Sequence, residues 1–259
     1  MILTQLQLTI FLLIFARIAG LFIMAPAFSA RSIPSLGKAA LITWISIVLW
    51  FVAPVDLKAI PATSLGFMIA LASEVAVGFI LGFICNMIFV AVQAAGELVD
   101  VQMGLSVAQS FDPIFGSTVT IIGKMFFYVA LTMFFIINGH HLLLSIIHQS
   151  FRLLPLGVVP NFASPRLVMD IIDMGKTFWM IAMQLSGPLL LLIFLSDFTF
   201  GIVSRVAPQV NVFMLGFQVK PSLGLLGLLF ALPLFVKYVT NLLGVMGEEM
   251  LKFMAILRI

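Results

Sequence analysis

Charge is what this chain most lacks. Only 9% of its 259 residues are Asp, Glu, Lys or Arg, against roughly 25% in an ordinary soluble domain, while 63% are hydrophobic. With 26 Phe, 15 Met and a mean hydropathy of +1.25, too few polar side chains exist to cover a water-exposed globule. Soluble enzymes and nucleic-acid-binding proteins are disfavoured on that ground alone. The sequence pI near 9.2 does not restore a nucleic-acid reading. It reflects 13 Lys and Arg against 10 Asp and Glu, and Arg17, Lys124, Lys176 and Lys237 fall inside apolar runs, so no basic face remains.

Cysteine is equally scarce. The single Cys85 excludes a disulfide framework and a cysteine-based zinc site, and its apolar setting reads as a small buried side chain. Three histidines, His140, His141 and His148, have no carboxylate or thiolate near them in sequence, and adjacent positions on a helix point about 100° apart, so they read as an interfacial polar cluster rather than a metal site. No Gly-rich phosphate loop and no Ser-His-Asp order are present, so neither catalysis nor a cofactor is expected. Residues 1–8 place no basic residue ahead of the first apolar run and show no small-residue cleavage pattern, so that run reads as retained rather than as a cleaved signal.

What the chain does have is long apolar runs, near 6–28, 39–53, 65–95, 118–137, 174–200 and 222–246. Each membrane-spanning helix needs about 20 predominantly apolar residues, so the coarse count is six hydrophobic helices. A β-barrel would alternate apolar and polar residues over segments of about ten, and 187–195 does not. The fold class is therefore all-α, a membrane-associated multi-helix protein. The second run is about five residues short of a span. The third continues past 95, and a helix from Leu65 to about Gly104 would reach about 60 Å, twice the hydrocarbon core; Gly96 is the expected break.

The same segment carries a polar stripe. Asn86, Gln93, Glu97 and Asp100 share one helical face, and Gly78 with Gly82 forms a small-xxx-small face suited to close helix approach. Between 137 and 155, His141, Ser145, His148, Gln149 and Arg152 oppose Leu143, Leu144, Ile146, Ile147 and Phe151, the pattern of an amphipathic helix on a membrane surface or against protein. Ser164 followed by Pro165 predicts a helix start, so the fifth helix begins before its apolar part.

Arg17, Glu74, Lys124, Lys176, Asp197 and Lys237 lie within apolar segments. Such charges seek partners or water, and they read either as a proton or ion path or as ion pairs between helices or subunits. Their spread over five helices, without a dense relay on any one, argues against a dedicated proton pump. Loop charges give no orientation: in a six-span threading Lys58, Arg152, Arg166, Lys252 and Arg258 fall on one side and Arg31, Lys38, Arg205 and Lys220 on the other, too even a split for helices simply threaded back and forth.

From Gly96 to Ser117 no basic residue occurs. This stretch is too polar to span and too apolar for a solvated loop. Asp112 before Pro113 is biased away from helix, predicting a turn flanked by Phe111 and Phe115. Irregular backbone at membrane depth must be buried in protein or line a cavity, which leaves two readings: a loop that closes a pathway with apolar side chains, or a packed re-entrant turn.

The run Gly96-Glu97-Leu98-Val99-Asp100 with its later Asp112-Pro113, the step Asn138-Gly139-His140-His141, and APQVNVFMLGFQVK from Ala207 to Lys220 together resemble the FliR family, the flagellar relatives of the SctT proteins of virulence-type secretion. Where family members often carry proline, this chain has Gln218. The resemblance implies a subunit of the flagellar type III export gate, assembled with FliP and FliQ into a cone-like helical channel in the bacterial inner membrane at the flagellar basal body, with FlhB and FlhA as neighbours and unfolded flagellar proteins as cargo. It implies a FliP-like part over about 1–165 and a FliQ-like helical hairpin over 166–259, in contact with partner subunits and lipid but no nucleic acid. It also implies that Ser106 to Thr118 is the loop closing the channel, with Phe111, Ile114 and Phe115 sealing it beside Asp112, Pro113 and the deformable Met103. Glu97 and Asp100 then either face the passage or pair with basic groups on a partner. A small secondary transporter would also explain the intramembrane charges, but inverted halves with matching broken helices are not found.

Overall fold

The computed structural model describes residues 5–29, 33–54, 60–61, 63–105, 120–162 and 164–258. Among them are eight helices and no strand: α1 (Gln5–Met24), α2 (Pro26–Ser29), α3 (Ser35–Val52), α4 (Ser64–Met103), α5 (Ile121–Ile136), α6 (Gly139–Leu153), α7 (Pro165–Val206) and α8 (Val212–Leu257). The helix ends follow local chemistry. At α3 the chain turns extended at Ala53 and at α6 at Leu154, in each case the residue before a proline, which sterically resists the helical conformation. α7 begins at Pro165 as predicted, because a first-turn residue needs no amide hydrogen. The amphipathic helix predicted over 137–155 is α6, and it buries Leu143, Ile146, Ile147 and Phe151. It follows α5 across a short break at Asn138, whose φ of 58° is a left-handed value asparagine tolerates better than most residues.

α4 differs from expectation. It runs unbroken for 40 residues through Gly96, with no proline inside it, and stops at Gly104, where φ is +77° and the amide donates to the Val101 carbonyl at 3.1 Å, as helix-ending glycines commonly do. Five helices, α1, α3, α4, α7 and α8, are long and apolar enough to cross a membrane, and the bent α5–α6 pair makes a sixth if it counts as one span.

The chain gathers into two compact units, residues 1–88, 135–174 and 243–259 in one, 89–134 and 175–242 in the other. In the first, α1 crosses α4 at backbone distance. A methyl group on Gly82 would stand 2.6 Å from the Leu21 carbonyl oxygen, one on Gly78 would overlap the Arg17 carbonyl, and one on Gly20 would overlap that of Val75. The predicted small-residue face is thus used, and Leu13, Ile14, Ile18, Leu21, Leu81 and Ile84 are fully buried around it. In the second unit Phe89 packs edge-on against Phe127 and Phe134, and Phe126 lies 4.3 Å from Phe235 between ring centroids.

Much apolar surface stays uncovered within the chain. On α3 only Ser46 and Leu49 are buried, while Trp44 is 67% and Phe51 79% exposed; on α8 Phe230 is 81% exposed. Cys85, by contrast, is fully buried. A maleimide reagent applied to the folded protein is therefore expected to leave Cys85 unmodified and to label it fully in denaturant; mass spectrometry of the intact chain reads both.

Candidate functional site

The polar stripe on α4 meets the start of α5. Asp100 is fully buried, and its carboxylate accepts from the Ile122 amide at 3.2 and 3.0 Å and from the Gly123 amide at 3.1 Å. A negative charge there satisfies amides that no helical carbonyl can reach and complements the positive end of the helix dipole. Such charge-assisted bonds are the strong ones. One turn earlier Glu97 accepts from Gln93 Nε2 at 2.9 Å and from the Thr120 hydroxyl at 3.5 Å. Between them the backbones touch: a Cβ on Gly96 would lie 2.6 Å from the Gly123 Cα, and one on Gly123 would lie 2.8 Å from the Glu97 Cγ. Gly96 is therefore a packing glycine rather than a helix break. Asn86 and Gln93, higher on the stripe, are half-buried.

Met103, in the last turn of α4, is fully buried, and its sulfur would lie 2.6 Å from a Cβ on Gly224 of α8. It borders a cleft where α7 ends and α8 begins, lined also by Phe200, Phe213, Phe217, Asp197 and Lys220. Of the other residues assigned by resemblance to the closing loop, Ser106, Phe111, Asp112, Pro113, Ile114 and Phe115 lie outside the described residues.

The charges in apolar segments divide into two groups. Arg17 and Glu74 form a buried pair, each 1% exposed, with Nε donating to Oε2 at 2.5 Å. Arg17 also donates to the Ser150 hydroxyl at 3.1 Å and the Leu154 carbonyl at 3.0 Å, and its guanidinium sits 4.4 Å over the Phe151 ring. Glu74 Oε1 accepts from the Gly157 amide at 3.2 Å. Asp197 pairs with Lys220 at 2.5 Å, more openly. Lys124, Lys176 and Lys237 lie exposed on the chain. Among the described residues no three His, Cys, Asp or Glu side chains gather as metal ligands.

Several of these partners had no mark in the sequence. Gly123, Ser150 and the backbone at Leu154 and Gly157 acquire their roles from residues distant along the chain. In sequence Lys220 and Lys252 show only as loop charges, yet Lys252 pairs with Asp170 at 3.3 Å. Opposite signs in segments predicted to form one hairpin are the signal that would have joined Lys220 to Asp197.

Fold and site together define, among the described residues, an all-helical protein with five or six helices fit to cross a membrane, in which the buried Arg17, Glu74 and Asp100 join separate segments of the chain. Its family follows from comparison: residues 8–246 match the profile of bacterial export proteins, family 1, and the chain belongs to that family. It is 31% identical over 247 residues to the flagellar biosynthetic protein FliR of Bacillus subtilis (strain 168), covering 95% of each chain. It is 29% identical over 230 residues to the FliR of Escherichia coli (strain K12), covering 87% of this chain and 85% of the relative. Its likeness to the secretion system apparatus protein SsaT of Salmonella typhimurium is 30% over 160 residues, 62% of this chain and 61% of that one.

Proposed function

We propose that this chain is a subunit of the flagellar type III protein export gate, forming with FliP and FliQ the channel through which unfolded flagellar proteins cross the inner membrane, with FlhB and FlhA beside it. The observation that carries this reading is the alignment with a flagellar FliR over nearly the full length of both chains. The uncovered apolar side chains support it: patches of this extent mark lipid or protein contact, and a chain with Trp44, Phe51 and Phe230 turned outward is suited to partner helices. In this reading residues 1–165 act as the FliP-like part and 166–259 as the FliQ-like hairpin. The protein provides a passage and a closure rather than a reaction, and the proton-motive force and partner proteins drive the cargo.

The closure is assigned to the segment around Ser106 to Thr118, with Phe111, Ile114 and Phe115 as an apolar seal that excludes water and ions until a chain displaces it. Deleting Phe111 to Ser117 is expected to raise small-ion leakage across the membrane several-fold while export of a flagellar hook protein continues. Leakage equal to that of the unaltered chain, with the assembled complex present in equal amount, would remove the seal and leave that segment a packed turn.

A further inference from the structure

Over residues 226–242 α8 has two opposed faces. Phe235, Val239 and Leu242 are buried, with the Phe235 ring against Phe126 of α5. On the other side Leu226, Phe230, Leu234, Lys237 and Asn241 are all exposed, and at 3.6 residues per turn they fall within about 80° of one another. Neither the Lys237 nor the Asn241 side chain has a hydrogen bond or ion pair among the described residues. Gln184 on α7, also exposed, is by contrast satisfied within the chain, where it accepts from the Tyr238 hydroxyl.

Neither lipid nor water suits this stripe. Lysines near helix ends snorkel to water, but Lys237 lies nine residues from the nearer end of the apolar run 222–246, about 13 Å at 1.5 Å per residue. A charge at that depth in hydrocarbon seeks a counter-charge. Water would in turn meet Phe230, 81% exposed, and Leu234, 64% exposed. A neighbouring helix meets both demands, with apolar contact over Leu226, Phe230 and Leu234 and a carboxylate opposite Lys237. Lys237 and Asn241 stand one turn apart on the same face, as neighbours at this spacing do, so one carboxylate can accept from both. Single polar positions in an apolar helix seam fix its register. The carboxylates that this chain carries within apolar stretches, Glu74, Asp100 and Asp197, are engaged inside it, so the complement comes from a different chain.

We infer that this face of α8 is the seam for a helix of another subunit that carries an Asp or Glu within an apolar stretch, its carboxylate paired with Lys237 and within reach of Asn241. This rests on the gate reading above, which supplies the subunits among which that helix is sought.

The test is made in cells that carry the full set of export subunits. Benzoylphenylalanine in place of Leu234, activated by light, is expected to give one main adduct with another export subunit, in an apolar stretch that holds an Asp or Glu within about two turns of the crosslink. An adduct to lipid alone, or to a stretch without a carboxylate, overturns the seam. Co-purification of the chain with the other export subunits in detergent then tests the charge. Lys237→Arg is expected to stay in the complex and Lys237→Met to fall several-fold. Lys237→Glu, which sets like charges opposite each other, is expected to fall about tenfold or more, and changing the carboxylate found by crosslinking to Lys is expected to restore it. A face turned to lipid would reverse that order, with Met retained best, and equal amounts of the Arg and Met variants overturn the pairing. Cys85 is expected to stay protected from maleimide in Lys237→Met; full labelling there would make Lys237 part of the chain's own fold and overturn the seam. If the unaltered chain does not co-purify with the other subunits, the gate reading fails and takes the seam with it. If it does and the Lys237 series is flat, the seam alone falls.

Discussion

Glu74→Ala is expected to remove most of the folded protein from the membrane. The substitution leaves Arg17 charged, 1% exposed and without its counter-ion in the middle of an apolar core, and it orphans the Gly157 amide. Removing one partner of a buried ion pair costs about 3–5 kcal/mol, a large part of the roughly 5–15 kcal/mol that holds a domain together. Arg17→Lys should also be harmful, although the charge is kept. Arginine's planar fork reaches Glu74, Ser150 and Leu154 together, and a single ammonium cannot reproduce that geometry. The double change Arg17→Met with Glu74→Leu removes both charges and is expected to recover part of the loss. Recovery stays incomplete because the buried Leu154 carbonyl loses its partner, at about 1–3 kcal/mol, and the half-buried Gly157 amide loses its own. Maleimide labelling of Cys85, buried in α4, reports all three: strong labelling under native conditions for the single variants, weaker for the double. Protection equal to the unaltered chain in Glu74→Ala would mean that the pair contributes little.

Gly78→Leu is expected to be as damaging by a different route. Even a methyl there would overlap the Arg17 carbonyl, and that neighbour is backbone, so no rotamer change relieves the clash. Overpacking a well-filled core costs about 1–3 kcal/mol, occasionally more, and a four-carbon side chain at a helix crossing belongs at the upper end. Gly175→Ala, Gly187→Ala and Gly244→Ala are the controls, since a Cβ at each meets open space, and alanine is the better helix former. Cys85 should label readily in the first variant and remain protected in the three controls. Arg17 lies on both lesions, through its carbonyl against Gly78 and its side chain against Glu74, so Gly78→Leu and Glu74→Ala together should cost less than the sum of the two.

These two sites also show what the sequence discloses and what it withholds. The small-residue spacing of Gly78 and Gly82, the polar and apolar faces of 139–153 and the Ser164-Pro165 start are local patterns, and local geometry alone decides them. Sequence alone misplaces a break at Gly96, because a glycine in a helical run ordinarily weakens the helix, and only the backbone of Gly123 opposite it makes the missing side chain an asset. In sequence Asp100 is open to a passage or a partner for the same reason: the amides it caps belong to residues more than 20 positions further along the chain. Intramembrane charge could be seen to need a partner, but nothing in sequence joins Arg17 to Glu74 and Ser150 rather than to another subunit. Of the residues assigned to the seal, Met103 is placed, packed within the chain against α8, while the others fall outside the described residues and rest on composition and resemblance.

Export itself is the function that decides between a gate subunit and a transporter. The most direct measurement is secretion of a flagellar hook protein into the medium by cells from which this chain has been deleted and then restored, with the membrane levels of the other export subunits followed in parallel. The gate reading predicts no secreted hook protein without the chain and full recovery when it returns. Undiminished secretion in its absence would contradict that reading and favour a transporter that works alone.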